Sequence, residues 1–161
     1  MLGLLLKWIS TSDPSRRFRI ELDLMFWGAQ HSRFIRKRFQ RRIFYVYNCD
    51  ISHLADIHSS VCFPHPSGIV IGSQAKVESG SRIYQQVTIG SNFNSDNSMA
   101  RVKKNTYIGS GAKLIGGIEI GENCRIGANA IVTKSVADYC SIVGNNKVIG
   151  TKLTDAEIVL P

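Results

Sequence analysis

A six-residue rhythm runs through two thirds of this 161-residue chain. An apolar residue opens each unit, and a small or apolar residue follows four places later. Ile51, Ile57 and Phe63 open one run, Ile71, Val77, Ile83 and Ile89 a second, and Val102, Ile108, Leu114, Ile120, Ile126 and Val132 a third. The fifth places read Ala55, Val61, Ser67, Ala75, Ser81 and Val87, then Thr106, Ala112, Ile118, Cys124, Ala130 and Val136. A helical stripe recurs every ~3.6 residues and a half-buried strand alternates strictly, so neither yields this period. One short strand plus one corner does, which predicts an all-β solenoid, a parallel β-helix of hexapeptide repeats. Three hexads close a coil of roughly 18 residues, and stacked coils bury columns of Val, Ile and Leu that no single hexad could bury alone. The Gly that often follows the opening residue (Gly72, Gly90, Gly109, Gly121, Gly127) is expected where the chain bends.

The net charge of +8 is unevenly placed: residues 1–47 hold ten Lys/Arg against three Asp/Glu, and residues 48–161 hold ten against nine. Basicity therefore belongs to an N-terminal segment, residues 1–48, rather than to the repeat domain, residues 49–150, or to the tail, 151–161. That segment is expected to be mainly helical. Its opening MLGLLLKWIS is too short to span a bilayer and lacks a cleavage site before charges resume. Asp13-Pro14 is a helix start, with Phe18, Leu22, Met25 and Ala29 falling on one face. In RFIRKRFQRRIFY, Phe34, Arg38 and Arg42 are interleaved with Phe39, Ile43 and Phe44. Such helices cap the open end of a β-helix and suit peripheral contact with an anionic membrane; no nucleic-acid module accompanies them. Cys49, Cys62, Cys124 and Cys140 show no CxxC spacing, which fits reduced thiols in a cytoplasm.

A repeat that holds everywhere else points to function where it breaks. The unit opened by Phe63 runs to eight residues before Ile71, and within it His65 stands between Pro64 and Pro66. Residues 91–101, SNFNSDNSMAR, interrupt the rhythm a second time as a polar loop leaving one face. A neutral imidazole held by stiff neighbours, with a loop beside it, can take a proton from a hydroxyl once a partner fixes its tautomer. Asp50 lies 15 residues upstream, almost one coil, whereas Asp56 at nine lies half a coil away. Asp50 is therefore the expected partner. His53 and His58 have no companion ligand set, so no metal is expected.

The stretches DISHLADIHSSVCFPHPSGIVIG, IYQQVTIG and YIGSGAKLIGGIEIGENCRIGANAIVTKSV resemble the serine acetyltransferase branch of the hexapeptide-repeat acyltransferases over residues 50–150. The resemblance implies a left-handed coil, against the usual crossover hand, a homotrimer, and acetyl-CoA bound between neighbouring subunits. It also implies His65 as catalytic base and Asp50 as its orienting carboxylate. Ser110, Ala128, Thr133, Lys134 and Lys147 are implied contacts for CoA. Departures bear on the acceptor: Pro64 replaces an Asp before the His, Ser98 and Met99 replace an Arg-His pair that meets a substrate carboxylate, and Gly144-Asn145-Asn146-Lys147 replaces a GxPA motif. These changes resemble bacterial O-acetyltransferases of capsule, lipopolysaccharide or exopolysaccharide biosynthesis. The expected acceptor is a sugar hydroxyl met by Asn92, Asn94 and Arg101, at the inner face of the membrane. The alternatives are serine O-acetylation and a non-catalytic repeat scaffold, with a membrane-surface adaptor as the weakest.

Overall fold

A computed structural model describes residues 2–93 and 97–150. Three helices come first: α1 (Leu2–Ser10), α2 (Pro14–His31) and α3 (Arg33–Tyr47). Asp13 caps α2 by accepting from the Ser15 and Arg16 amides, with Pro14 in the first turn where its missing N–H costs nothing. Ser32 ends α2 and caps α3, and Asn48 in the left-handed region (φ 52°) ends α3 and starts the coils.

Five coils follow. The first holds β1 (Asp50–Ile51), β2 (Asp56–Ile57) and a bridge at Cys62; the second β3 (Val70–Ile71), β4 (Lys76–Val77) and β5 (Arg82–Ile83). The third holds β6 (Thr88–Gly90), β7 (Arg101–Val102) and β8 (Tyr107–Ile108), and the fourth β9 (Lys113–Ile115), β10 (Glu119–Ile120) and β11 (Arg125–Ile126). The fifth holds β12 (Ile131–Val132), β13 (Ser141–Val143) and β14 (Lys147–Gly150). Three sheets form the sides of a prism. β1, β3, β6, β9 and β12 make the first, β2, β4, β7 and β10 the second, and β5, β8, β11, β13 and β14 the third. All rungs are parallel except β13 with β14, which turns back through Gly144–Asn146.

Register explains both breaks in the rhythm. Along the first sheet the paired residues Asp50, Val70, Thr88, Lys113 and Ile131 step by 20, 18, 25 and 18 residues. The longer steps absorb the eight-residue unit and the loop without disturbing the ladder. Each opening residue is buried and its predecessor faces out. Of the fifth places, Ser67 alone is exposed, because the lengthened unit presents Ile69 inward instead.

The post-aliphatic glycines are not where the backbone turns left-handed. Those corners include Gly68, Gly80, Gln86, Asn105, Gly111, Asn123, Asn129 and Tyr139. Gly109 is needed for close approach: a Cβ there would stand 2.7 Å from the Ala128 amide nitrogen in the next coil.

The helices close the first end of the prism. Phe18 packs edge-on against Phe63 of the first coil, at 5.1 Å between ring centroids, and Leu22 and Met25 are buried with it. Ala29, expected on that face, is exposed; Gly28 takes its place, so close to α3 that a Cβ would lie 2.5 Å from the Arg36 amide nitrogen. Trp8 pins α1 down by donating to the fully buried Glu21 (2.7 Å), which also receives Arg42.

Candidate active site

Each coil passes from the third side back to the first around one long edge of the prism, and three of the expected residues, His65, Ser110 and Ala128, lie there. His65 lies on this edge in the first coil, Tyr84 in the second, Ser110 in the third and Ala128 in the fourth. Neighbouring coils are ~4.8 Å apart, so the edge is a track with an imidazole at one end and small side chains farther along. His65 is exposed and held by a tight turn in which the Ser67 amide donates to its carbonyl at 2.9 Å. Its ring lies 5.9 Å from that of Tyr84, which lies 4.9 Å from Tyr107. Burial, with Tyr84 beside it, pushes the Tyr107 phenol up. The Lys113 ammonium reaches the same edge, donating to the Gln86 carbonyl at 2.7 Å.

Lys147 stands on β14 opposite Val143, whose side chain borders Gly127, so it lies beyond the far end of the track. Thr133 and Lys134 do not lie on it. They follow β12 on the edge between the first and second sides, where Asn146 ties Thr133 through its amide (2.8 Å) and hydroxyl (2.9 Å).

The loop after β6 leaves at that second edge, not beside His65 as expected. Asn92 packs at Gly116, Ser98 at Gly117 and Met99 at Gly72, so the loop lies along coils two to four. Asn94 falls outside the described residues. Arg101 points from the second side and is paired with Glu78 at 2.9 Å, which engages the guanidinium expected to meet an acceptor. Within one chain, His65 and the loop occupy different edges.

Asp50 and His65 are close in backbone but not joined. The Gly68 amide donates to the Tyr47 carbonyl and the Asp50 amide to the Ile69 carbonyl, bringing the two segments into register. No hydrogen bond links the two side chains. Asp50 instead lines a groove of about 310 Å³ under α3 with Arg36, Lys37, Gln40 and Arg41. The other candidates have partners elsewhere: Asp56 pairs with Lys76 at 2.8 Å, Arg36 approaches His53 at 3.4 Å, and His58 meets Ser60 at 2.8 Å.

Sequence reasoning missed Tyr84 and Lys113. Tyr84 had a visible signal, since it fills a post-aliphatic position that Gly holds in five other units. The contact made by Lys113 spans two coils and leaves no mark in the local sequence.

Residues 99–134 match the family model for the bacterial transferase hexapeptide, described as six repeats. The serine acetyltransferase of Buchnera aphidicola subsp. Schizaphis graminum is 36% identical over 107 residues, covering 65% of this chain and 41% of that protein. A solved serine acetyltransferase from Brucella abortus strain S19 superposes with a TM-score of 0.80 at 25% identity, over 95% of this chain and 69% of that one. The coenzyme A complex of a serine acetyltransferase from the same strain gives 0.74 at 28% identity, over 82% and 54%. The chain thus spans less than half the length of the curated Buchnera relative. These relatives carry the serine name, so the expected polysaccharide branch finds no support in them.

Proposed function

We propose that this hexapeptide-repeat chain, a homologue of the serine acetyltransferases, is an acetyl-CoA-dependent O-acetyltransferase whose acceptor is L-serine and whose coils wind left-handed. The observation that carries the reading is the stacking of His65, Tyr84, Ser110 and Ala128 in successive coils along one edge. Pantetheine laid along that edge past Ser110 and Ala128 would bring its thioester toward His65. Small side chains matter there, because a bulky group would lift the cofactor from the backbone. Lys113, which reaches the track at the Gln86 carbonyl, and Lys147, beyond its far end, suit phosphate oxygens.

His65 removes the proton of the serine hydroxyl as that oxygen attacks the thioester carbonyl. The tetrahedral intermediate collapses, the C–S bond breaks, and the imidazolium returns the proton to the departing thiolate. Asp50 orients the imidazole when the site is filled, since catalytic hydrogen bonds often tighten only in the substrate complex. A homotrimer would supply what one chain lacks: the loop edge of one subunit, with Asn92 and Thr133, set against the His65 edge of its neighbour. Free cysteines, three of them buried, suit a cytoplasmic setting.

The test is acetyl-CoA-dependent release of CoA by the wild type and His65→Ala, with L-serine and a de-acetylated surface glycan as parallel acceptors. Serine-dependent turnover that falls by ~10²- to 10⁴-fold in the variant is expected for loss of a general base. Turnover with the glycan alone would overturn the acceptor, and unchanged turnover in the variant would overturn the role of His65.

A further inference from the structure

We infer that the outer face of α1 and α3 is a docking surface for an anionic lipid bilayer, on which the protein rests without crossing it. α3 carries Arg33, Arg36, Lys37, Arg38, Arg41 and Arg42 within 15 residues and no acidic side chain. Phe34, 76% exposed, lines a groove of about 390 Å³ on this face with Arg38, Arg41 and Arg42. α1 turns Leu4, Leu5 and Trp8 toward the core and leaves Leu2, Leu6 and Ile9 exposed at 72%, 61% and 70%. Steps of four and three residues put those three on one stripe. The Arg42 guanidinium lies 5.2 Å over the Trp8 ring and also lines the groove, which makes α1, the helix that carries the stripe, a neighbour of the cationic groove.

Charge selects the occupant. A second copy meeting this face across a two-fold axis would set cations against the same cations, an arrangement that repels. A nucleic acid would neutralise the arginines and leave the Leu2–Leu6–Ile9 stripe in water. A bilayer with acidic headgroups accepts both parts, guanidinium and ammonium groups at the phosphates and the apolar stripe at the acyl boundary, as in-plane amphipathic helices do. Among the described residues no helix is long and apolar enough to cross a membrane. The helices sit at the first-coil end of the prism, so docking leaves the edge at Ser110 and Ala128 open.

The experiment is co-sedimentation of the full chain with vesicles of phosphatidylcholine alone and with ~30 mol% phosphatidylserine, at low salt and near ~1 M salt, where the Debye length falls to ~3 Å. Binding that needs the anionic lipid and collapses in salt is expected. Arg33→Glu combined with Arg38→Glu should weaken it by more than about tenfold, and Leu2→Ser with Leu6→Ser should weaken it at every salt concentration. Arg33→Gln with Arg38→Gln serves if the reversal disturbs folding, judged by circular dichroism, and turnover with acetyl-CoA should be unchanged in both pairs. Equal binding to neutral vesicles, no binding at all, tighter binding to single-stranded RNA, or an oligomer in solution that the arginine variants dissociate would each overturn the inference.

Discussion

The helical cap and the coils bury their interiors in opposite ways. Inside the coils the polar exceptions are small and answered: the Ser81 hydroxyl donates to the Lys103 carbonyl at 3.1 Å, and that of Thr106 donates to the Gly121 carbonyl at 2.8 Å while accepting from the Cys124 amide. The cap is built around a carboxylate. Glu21 is fully buried and receives both Trp8 and Arg42 on Oε1, while Oε2 has no partner among the described residues. Layers of aliphatic residues touch only their neighbours, so damage to one is local and graded. A charge that joins three helices concentrates risk at one point, because removing its cation leaves it buried with the Trp8 N–H but without the opposite charge.

The sharpest way to break this contrast is Arg42→Met, which keeps an apolar stem at this position and removes the cation opposite Glu21. A loss of about 3–5 kcal/mol is expected, read by urea denaturation, with a second Glu21→Gln change recovering much of it. A loss below about 1 kcal/mol would mean that water already reaches Glu21. Next comes Ile108→Ala in the middle coil, expected to cost about 2–4 kcal/mol for the cavity left in one layer. Its effect should leave the cap's unfolding midpoint, followed by Trp8 and Trp27 fluorescence, less altered than Arg42→Met does. Thr106→Val should cost about 1–2 kcal/mol by the same denaturation, since it leaves the Gly121 carbonyl without its donor.

The smallest effect lies at the junction of cap and coil. Burial, and then the Arg36 cation, hold His53 below the ordinary imidazole value of 6.5. The folded state therefore favours the neutral ring. The contribution is present above the ordinary value and is lost as pH falls through the depressed one. His53→Gln should flatten the decline of the denaturation midpoint between about pH 7 and 5, the range in which unperturbed histidine titrates. An unchanged slope would mean that His53 is not responsible for it.

Hexad phase made the interior of the coils legible, because a fixed period assigns every second-strand residue a direction. It failed at Ser67, where two additional residues shifted the inward role to Ile69. The grouping of His65, Ser110 and Ala128 on one edge follows from the same period. The separation of the loop and Thr133 onto another edge does not follow from proximity in sequence, which had set the loop beside His65. Asp50 lies on a segment in register with the one that carries His65, but its surroundings have no mark in the local sequence, since the basic groove it lines exists only once α3 has docked. The roles of Trp8, Glu21 and Arg42 were hidden for the same reason: their contacts join three helices and carry no local signature.

The edge that holds His65 has one more property, which comes from its construction as a stack. Positions along it are available only in increments of one coil, ~4.8 Å each. On the proposed reading, a thioester arm laid there would be gauged against a scale whose divisions are fixed by backbone hydrogen bonds, with side-chain choice adjusting the reading only between divisions. Gain or loss of an entire coil would lengthen or shorten the scale by one division and leave every other rung intact. If a donor's arm lies along this edge as proposed, a lineage carrying this fold could retune the length of arm that fits by counting coils, without rebuilding the histidine end at all.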